Sequence, residues 1–313
     1  MIRRISCAVF LLALLMLSGC QQPQNPDTQS STQPTPTIPE PTGISTGWYE
    51  EQGHTYYRLP DGTFLTGKVT IGEETYYFDA TGIRQTGLVE LDGSTYYFRP
   101  NGTMARGQVE IDGYNRFFSS TGKEVLVVNP WNPLPENYDL NLVNLDSSLG
   151  KEGSQISQVC LEDLLQMLND CNAECPRVYV VSSYRSYDYQ AGLFENRIAR
   201  FQAEGYSREE AEILAAAVVA RPGTSEHHTG LALDIIDTRS WNLDETQAQL
   251  PGQQWLMANS WRYGFVLRYP EGTTDSTGII YEPWHYRYVG KELAKELYDS
   301  GLTLEQYLEN LTQ

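Results

Sequence analysis

The sequence has few positive charges, few histidines and few cysteines. Its 313 residues carry 22 Lys and Arg against 40 Asp and Glu, for a formal net charge of −18. Such a chain repels a phosphate backbone, and no basic stretch offsets the charge locally, so nucleic-acid binding is disfavoured. The 5 cysteines form no Cys-x-x-Cys pair and no zinc-ribbon pattern. Three of the 4 histidines lie between positions 227 and 285, which indicates where chemistry is concentrated.

The amino terminus also lacks an apolar run long enough to span a membrane. The apolar stretch 5–17 follows Arg3 and Arg4. It is shorter than the ~20 residues of a spanning helix but typical of a signal-peptide core. It ends in Leu-Ser-Gly-Cys at Cys20, which resembles the lipobox of bacterial lipoproteins. The resemblance implies that residues 1–19 are removed and that Cys20 carries a lipid, whereas a plain secretory signal is the alternative.

Residues 20–46 are rich in Pro, Thr, Gln and Ser and have no apolar periodicity. Such a segment buries too little surface to offset its ordering entropy. We therefore expect a disordered linker between the lipid anchor and the first folded region.

Residues 47–128 repeat with a period of twenty, which predicts an all-β solenoid of about four hairpins. One glycine phase and a set of aromatic pairs mark the repeat. The glycines are Gly62, Gly82, Gly102 and Gly122, and the pairs begin at Tyr56, Tyr76 and Tyr96. Turn dipeptides are typical of hairpins, and we assign them to Asp61-Gly62, Asp92-Gly93, Asn101-Gly102 and Asp112-Gly113.

These repeats resemble the choline- and glucan-binding repeats of Gram-positive surface proteins. The choline type opens each unit with a Trp, but here only Trp48 does, and Lys68, Leu88 and Gln108 stand at the corresponding positions. A cation cage needs those aromatic faces, so choline binding is disfavoured. Contact with wall glycan or teichoic acid and a role as a mere spacer both stay open.

Residues 129–313 begin with a Pro-rich joint and then alternate strands with apolar-periodic helices. The pattern predicts an α+β domain whose antiparallel sheet is covered on one side. We expect helices at about 156–169, 187–203, 207–219 and 253–262, strands at 178–181, 231–236, 265–269 and 284–289, and two final helices.

Residues with catalytic chemistry lie in three separated pieces of this domain. His227 and Asp234 follow a Gly-flanked loop and offer the nitrogen and oxygen donors that Zn²⁺ accepts. Glu282 and His285 supply a carboxylate and a second nitrogen, but positions three apart on a regular strand face opposite ways, so Pro283 must bend the chain. The third piece is a strand end that presents Arg185.

Together the pieces resemble the zinc peptidases that include lysostaphin-type enzymes, D-alanyl-D-alanine peptidases and the hedgehog domain, and within them the vancomycin-resistance (VanY-like) carboxypeptidases. The signature Ser-x-His-x-x-Gly-x-Ala-x-Asp is met without a gap, and so is a Glu three residues before a His. The matching residues are Ser225, His227, Gly230, Ala232, Asp234, Glu282 and His285.

The resemblance implies a role for each residue. His227, Asp234 and His285 would hold Zn²⁺ and leave a fourth position for water, and Glu282 would be the general base. Arg185 would stabilise an oxyanion or clamp a substrate carboxylate. Ser182, Gln190 and Ser225 match flanking positions that orient the site or the peptide. His228 has no signature role and is expected to lie beside the ligands or at the surface.

The predicted function is that of a zinc carboxypeptidase that removes the terminal D-alanine from peptidoglycan stem peptides, outside the cytoplasm of a Gram-positive bacterium and tethered to its membrane by lipid. An L,D-carboxypeptidase acting on tetrapeptide stems needs the same motifs and is one alternative. A non-catalytic wall-binding lipoprotein is the other. Cys160, Cys171 and Cys175 allow one disulfide and one free thiol, with the pairing open.

Overall fold

The computed structural model describes residues 45–136, 138–175 and 177–312. The predicted signal peptide, the lipidation site Cys20 and nearly all of the predicted linker lie outside these residues. Within the described part of the chain, no helix is both long and apolar enough to cross a membrane.

Four antiparallel hairpins form the first folded region, as the twenty-residue period predicts. Their strands are β1 (Gly47–Glu51), β2 (His54–Arg58), β3 (Gly67–Ile71), β4 (Glu74–Phe78), β5 (Gly87–Leu91), β6 (Ser94–Phe98), β7 (Gly107–Ile111) and β8 (Tyr114–Phe118). A short strand β9 (Glu124–Val125) pairs with β8. Asp92 and Gly93 both have positive φ, at 51° and 74°, as a two-residue hairpin turn requires.

Two of the four assigned turn dipeptides lie elsewhere than predicted. Asp61-Gly62 and Asn101-Gly102 fall in the loops that join one hairpin to the next, not at hairpin tips. In these loops Asp61 accepts a hydrogen bond from the backbone N–H of Thr63 at 2.9 Å. Asp and Asn stabilise both kinds of turn, so the dipeptide alone does not distinguish them.

Consecutive hairpins contact each other in the same way along the series. Arg84 donates its backbone N–H to the carbonyl of Thr55 at 2.8 Å, and Met104 does so to Thr75 at 2.7 Å. The rings of Tyr77 and Phe98 stack with centroids 5.9 Å apart. Each hairpin therefore covers the aromatic face of its neighbour.

A four-stranded antiparallel sheet lies at the centre of the second region, in the order β12-β13-β15-β14. Its strands are β12 (Val178–Ser182), β13 (Ala232–Asp237), β14 (Phe265–Leu267) and β15 (His285–Tyr288). Strand β13 is buried along its whole length. The antiparallel sheet confirms the sequence-based expectation.

Helices pack against this sheet and help to bury its apolar residues. They are α1 (Leu161–Glu174), α2 (Tyr187–Ala203), α3 (Arg208–Ala216), α4 (Pro251–Asn259), α5 (Thr274–Thr277), α6 (Lys291–Ser300) and α7 (Leu304–Asn310). The prediction of a helix from residue 156 is wrong at its start. Gln155–Ser157 forms strand β11, which pairs with β10 (Leu142–Asn144), so the helix begins only at Leu161.

The three cysteines of this region form no disulfide. Cys160, Cys171 and Cys175 are all free. Burial raises the pKa of Cys160 and of Cys171 to about 12, which keeps both thiols protonated and inert. They act as small apolar residues of the core.

Candidate metal centre

The sheet register brings the separated motifs to one place. Asp234 on β13 pairs with Ser182 on β12 and with His285 on β15. Three segments that are about 50 residues apart in the sequence thus lie on three neighbouring strands, each about 5 Å from the next.

A short helical loop positions His227 over this sheet. The loop 226–229 ends at Gly230, whose φ of 70° lies in the left-handed region. A Cβ on Gly230 would lie 2.9 Å from the backbone nitrogen of Ser157, so no other residue fits there without displacing backbone. The carbonyl of His227 accepts a hydrogen bond from the N–H of Arg185 at 3.1 Å, which joins the loop to the end of β12.

The bend expected at Pro283 is present. Strand β15 begins only at His285, and the N–H of His285 donates to the carbonyl of Glu282 at 3.1 Å. This turn directs both side chains toward one site. The Glu282 carboxylate lies 3.6 Å from His285 Nδ1.

Three donor atoms converge at the centre of the site. Asp234 Oδ1 lies 3.3 Å from His227 Nε2 and 3.1 Å from His285 Nδ1. His227 Nδ1 is 2.7 Å from the carbonyl of Ser183, to which it donates when Nε2 is free to bind a metal. Asp234 Oδ2 pairs with Arg185, so only Oδ1 faces the histidines.

These separations fit a metal ion. Two ligands that each lie ~2.0–2.1 Å from Zn²⁺ at a tetrahedral angle are about 3.3 Å apart. The donor atoms of His227, Asp234 and His285 lie within 4.8 Å of one another, and all three residues are buried. Two imidazoles and one carboxylate form the kind of donor set that catalytic zinc sites use.

The electrostatics of the site shift the pKa values of its two histidines in opposite directions. Burial and the nearby Arg185 lower the pKa of His227 to about 4, so it is neutral at pH 7. Burial opposes the charge on His285 as well, but its hydrogen bond to Asp234 and the nearby carboxylate of Glu226 raise its pKa to about 9. Burial raises the pKa of Glu282 to about 8.

The flanking residues divide into two groups. Arg185 Nε donates to Ser182 Oγ at 2.9 Å, and its Nη1 lies 3.4 Å from Gln190 Oε1. Gln190 also donates to the carbonyl of Ala220 at 2.7 Å. Ser182 therefore holds the Arg185 side chain through this hydrogen bond without lining the cleft, whereas Gln190 and Ser225 line it.

The cleft in front of the donors has a volume of about 760 Å³. Arg185, Glu282 and the three donor residues line it on the sheet side, and Arg197 and Arg200 of α2 line it further out. Neither Arg197 nor Arg200 forms an ion pair with another described residue. The cleft is large enough for a short peptide and carries cations at its wall.

His228 is not a candidate ligand. Its Nδ1 lies 2.7 Å from the carbonyl of Arg185, and its Nε2 accepts from the N–H of Gly223 at 3.1 Å. One neutral tautomer satisfies both contacts. His228 thus fixes the backbone on each side of the site, as expected for a residue beside the ligands.

Sequence reasoning gave no role to a buried charge cluster behind the site. Glu226, Arg268 and Arg287 are each exposed by 2% or less. Arg268 and Arg287 hold the pKa of Glu226 well below its usual range despite the burial. The two arginines lie 42 and 61 positions after Glu226 in the sequence, so no local spacing indicates that they pair with it. The one available signal was a charged residue between two signature positions of a buried loop.

Family comparisons match both regions of the chain. The VanY family model, described as D-alanyl-D-alanine carboxypeptidase, matches residues 153–291. A choline-binding repeat model matches residues 85–131, and a putative cell wall binding repeat model matches residues 46–64.

Individual proteins match the second region. A D-alanyl-D-alanine carboxypeptidase of Enterococcus faecalis is 40% identical over 186 residues, and this chain spans 65% of its length. VanYB in complex with D-alanine-D-alanine is 38% identical, with a TM-score of 0.53 over 59% of this chain and 96% of that one. A VanB-type VanY mutant in complex with Zn(II) is 37% identical, with a TM-score of 0.52 over 58% of this chain and 97% of that one.

A third solved structure, the LD-carboxypeptidase LdcB, is 34% identical, with a TM-score of 0.53 over 65% of this chain and 94% of that one. The family match, the antiparallel sheet and the grouping of the signature residues agree. The chain belongs to the VanY family of carboxypeptidases.

Proposed function

We propose that this protein is a zinc-dependent D-alanyl-D-alanine carboxypeptidase that trims the stem peptides of peptidoglycan. The observation that carries the proposal is the convergence of His227, Asp234 and His285 beside the buried Glu282 in one cleft. The likeness to VanYB, whose structure contains D-alanine-D-alanine, supports the substrate.

Zinc would be held by His227 Nε2, Asp234 Oδ1 and His285 Nδ1. When bound, it acidifies a water molecule and polarises the scissile carbonyl. The likeness to a VanY structure with Zn(II) supports the choice of metal.

Glu282 would act as general base and then as general acid. It takes a proton from the attacking water and delivers it to the leaving amine nitrogen of D-alanine. Burial favours the protonated carboxyl, which suits the second step.

Arg185 would bind the substrate carboxylate or the oxyanion. Its planar guanidinium presents paired donors that match a carboxylate, and Ser182 and Gln190 hold it in place. Arg197 and Arg200 add positive charge to the same cleft. An anionic peptide is thereby favoured in a protein whose net charge is −18.

An L,D-carboxypeptidase acting on tetrapeptide stems is the second candidate, supported by the likeness to LdcB. The two candidates are separated by incubating the protein with penta- and tetrapeptide stems and measuring product masses. We expect loss of one alanine from the pentapeptide, its abolition by a chelator and its recovery with Zn²⁺. Cleavage of the tetrapeptide alone would support the L,D activity. No cleavage of either would support a non-catalytic wall-binding protein.

We further propose that the hairpins form a solenoid that binds the wall and that Cys20 anchors the chain to the membrane outside the cytoplasm. The matches to choline-binding and cell wall binding repeats support the first part. Incorporation of labelled palmitate that is lost in Cys20→Ser would test the second part.

A further inference from the structure

The carboxylate of Glu226 faces a metal-site histidine from behind. Glu226 follows Ser225 in the signature loop, but its side chain is fully buried and does not line the cleft. Its Oε1 accepts from Arg268 Nε at 2.9 Å and from Arg287 Nη1 at 2.7 Å. Its Oε2 lies 3.6 Å from His285 Nε2.

Both atoms across that gap lack another partner. Within the described part of the chain, Glu226 Oε2 and His285 Nε2 are two of the three buried side-chain polar atoms that make no hydrogen bond. A buried polar atom without a partner costs about 1–3 kcal/mol, so a hydrogen bond between two such atoms that face each other would remove this cost for both. A shift of about half an ångström would give a hydrogen bond of ordinary length.

The orientation of His285 decides the direction of that bond. Its Nδ1 lies 3.1 Å from Asp234 Oδ1, on the side where His227 also points. A neutral imidazole whose Nδ1 lone pair binds a metal carries its one proton on Nε2. That proton then points at Glu226.

We propose that Glu226 is a positioning residue of the metal centre, which accepts a hydrogen bond from His285 Nε2 and so fixes the tautomer that binds zinc through Nδ1. The inference rests on the proposed zinc site. Carboxylates that orient metal-bound histidines in this way change metal affinity about 10–100-fold.

The cluster around Glu226 holds the carboxylate in place. Arg268 also pairs with Glu305 of α7, at 2.9 Å from Nη1, and Arg287 Nη2 donates to the carbonyl of Leu126 at 2.7 Å. These contacts hold the two arginines, whose own hydrogen bonds go to Oε1 of Glu226 and leave Oε2 for the histidine. A purely structural role, as counterion to two buried arginines, is the rival explanation.

Glu226→Gln separates the two explanations. The amide oxygen of Gln is drawn to the arginine donors, so its NH₂ faces His285 Nε2–H, donor against donor. The matched control is Glu305→Gln, which removes a carboxylate from the same Arg268 without touching His285. Both changes weaken the ion cluster, but only the first reaches the metal site.

The measurement is zinc affinity of the full chain by competition with a chromogenic chelator, using metal-free protein shown to be folded by circular dichroism. We expect zinc to bind about 10–100-fold more weakly in E226Q and within about twofold of the wild type in E305Q. Equal affinity in the wild type and both variants would overturn the inference. A wild type that binds no zinc would overturn the proposed function instead.

Histidine-selective ¹⁵N NMR gives a second test that needs no variant. In the zinc-loaded wild type, we expect His285 to carry its proton on Nε2 and to show a hydrogen-bonded Nε2 shift. A proton on Nδ1, with zinc on Nε2, would overturn the inference even if E226Q failed to fold.

Discussion

The two regions of this protein differ in the charged residues that they bury. In the first three hairpins, which the structure describes throughout, no charged side chain is buried, and the buried residues include Phe78, Tyr96 and Phe98. In the peptidase region, buried charged side chains lie at the proposed metal centre, including Asp234, Glu226 and Arg268. The difference indicates that the repeats tolerate change one unit at a time, whereas the catalytic region depends on a few mutually compensated charges.

The fourth hairpin belongs to both regions. Phe117 on β8 and Val127 beyond it share an apolar cluster with the two final helices, where their neighbours are Leu293, Leu297, Leu304, Tyr307 and Leu308. Ser120 Oγ also donates to Glu296 of α6 at 2.8 Å. The domain boundary at 128/129 stays a prediction, and residues on both sides of it pack into this one apolar cluster.

The largest contrast is expected from Glu282, the proposed general base. Glu282→Gln keeps the shape but cannot accept a proton, so turnover of the pentapeptide should fall by ~10²–10⁴-fold. Zinc content and wall binding through the repeats should not change. Glu245→Gln is the control, because Glu245 lines the same cleft without contacting a metal ligand. Wild-type turnover in E282Q would reassign Glu282 to a structural role.

The second contrast compares two phenylalanines. Phe117→Ala should lower the free energy of unfolding of the peptidase region by about 3–5 kcal/mol, because it opens a cavity against the final helices. Phe78→Ala, in the second hairpin, makes a similar cavity among the repeats alone and should leave that transition unchanged. Calorimetric melting of both variants measures the difference. If the peptidase region melted at the same temperature in both variants, the fourth hairpin would not contribute to the stability of that region.

The third contrast is in pH dependence. The pKa of His285 is raised to about 9 in the metal-free protein, so the imidazole is charged at pH 7 and must lose a proton to bind zinc. Zinc affinity should therefore rise about tenfold per pH unit from pH 6 to 8, as measured by chelator competition, while wall binding by the repeats varies less. An affinity that is flat over this range would mean that His285 is already neutral.

The smallest effect is expected from the amino-terminal hairpins. Deletion of residues 45–84 should leave kcat/KM on soluble pentapeptide within about twofold, because these residues contribute no donor and no base. Retention on purified walls should fall if the repeats bind them. Added choline should compete poorly, since only Trp48 opens its unit. Release from a choline resin by free choline would instead show that the repeats bind choline.

Local pattern predicted much of this architecture. The period of twenty gives the hairpins, and the resemblance of the two signature motifs to known zinc peptidases indicates that His227, Asp234, Glu282 and His285 lie together. The features that local pattern did not predict depend on contacts between residues far apart in the sequence. The start of α1 was misplaced because 155–157 pairs with a strand, and Glu226 had no role because its partners lie on strands reached only through the fold.

The contact between the fourth hairpin and the end of the chain bears on the order of folding. Thr312 Oγ1 accepts from the N–H of Gln108 at 2.8 Å across a separation of 204 residues. Each of the first three hairpins pairs two strands that are close in sequence, so these strand pairs can form as the chain emerges. The fourth hairpin packs against α6 and α7, so it cannot complete its contacts until α7 has been synthesised. A chain that stopped before α7 would contain folded amino-terminal hairpins but would leave the apolar surface of Phe117 and Val127 partly uncovered. Proteases that degrade incompletely folded chains would then cleave it.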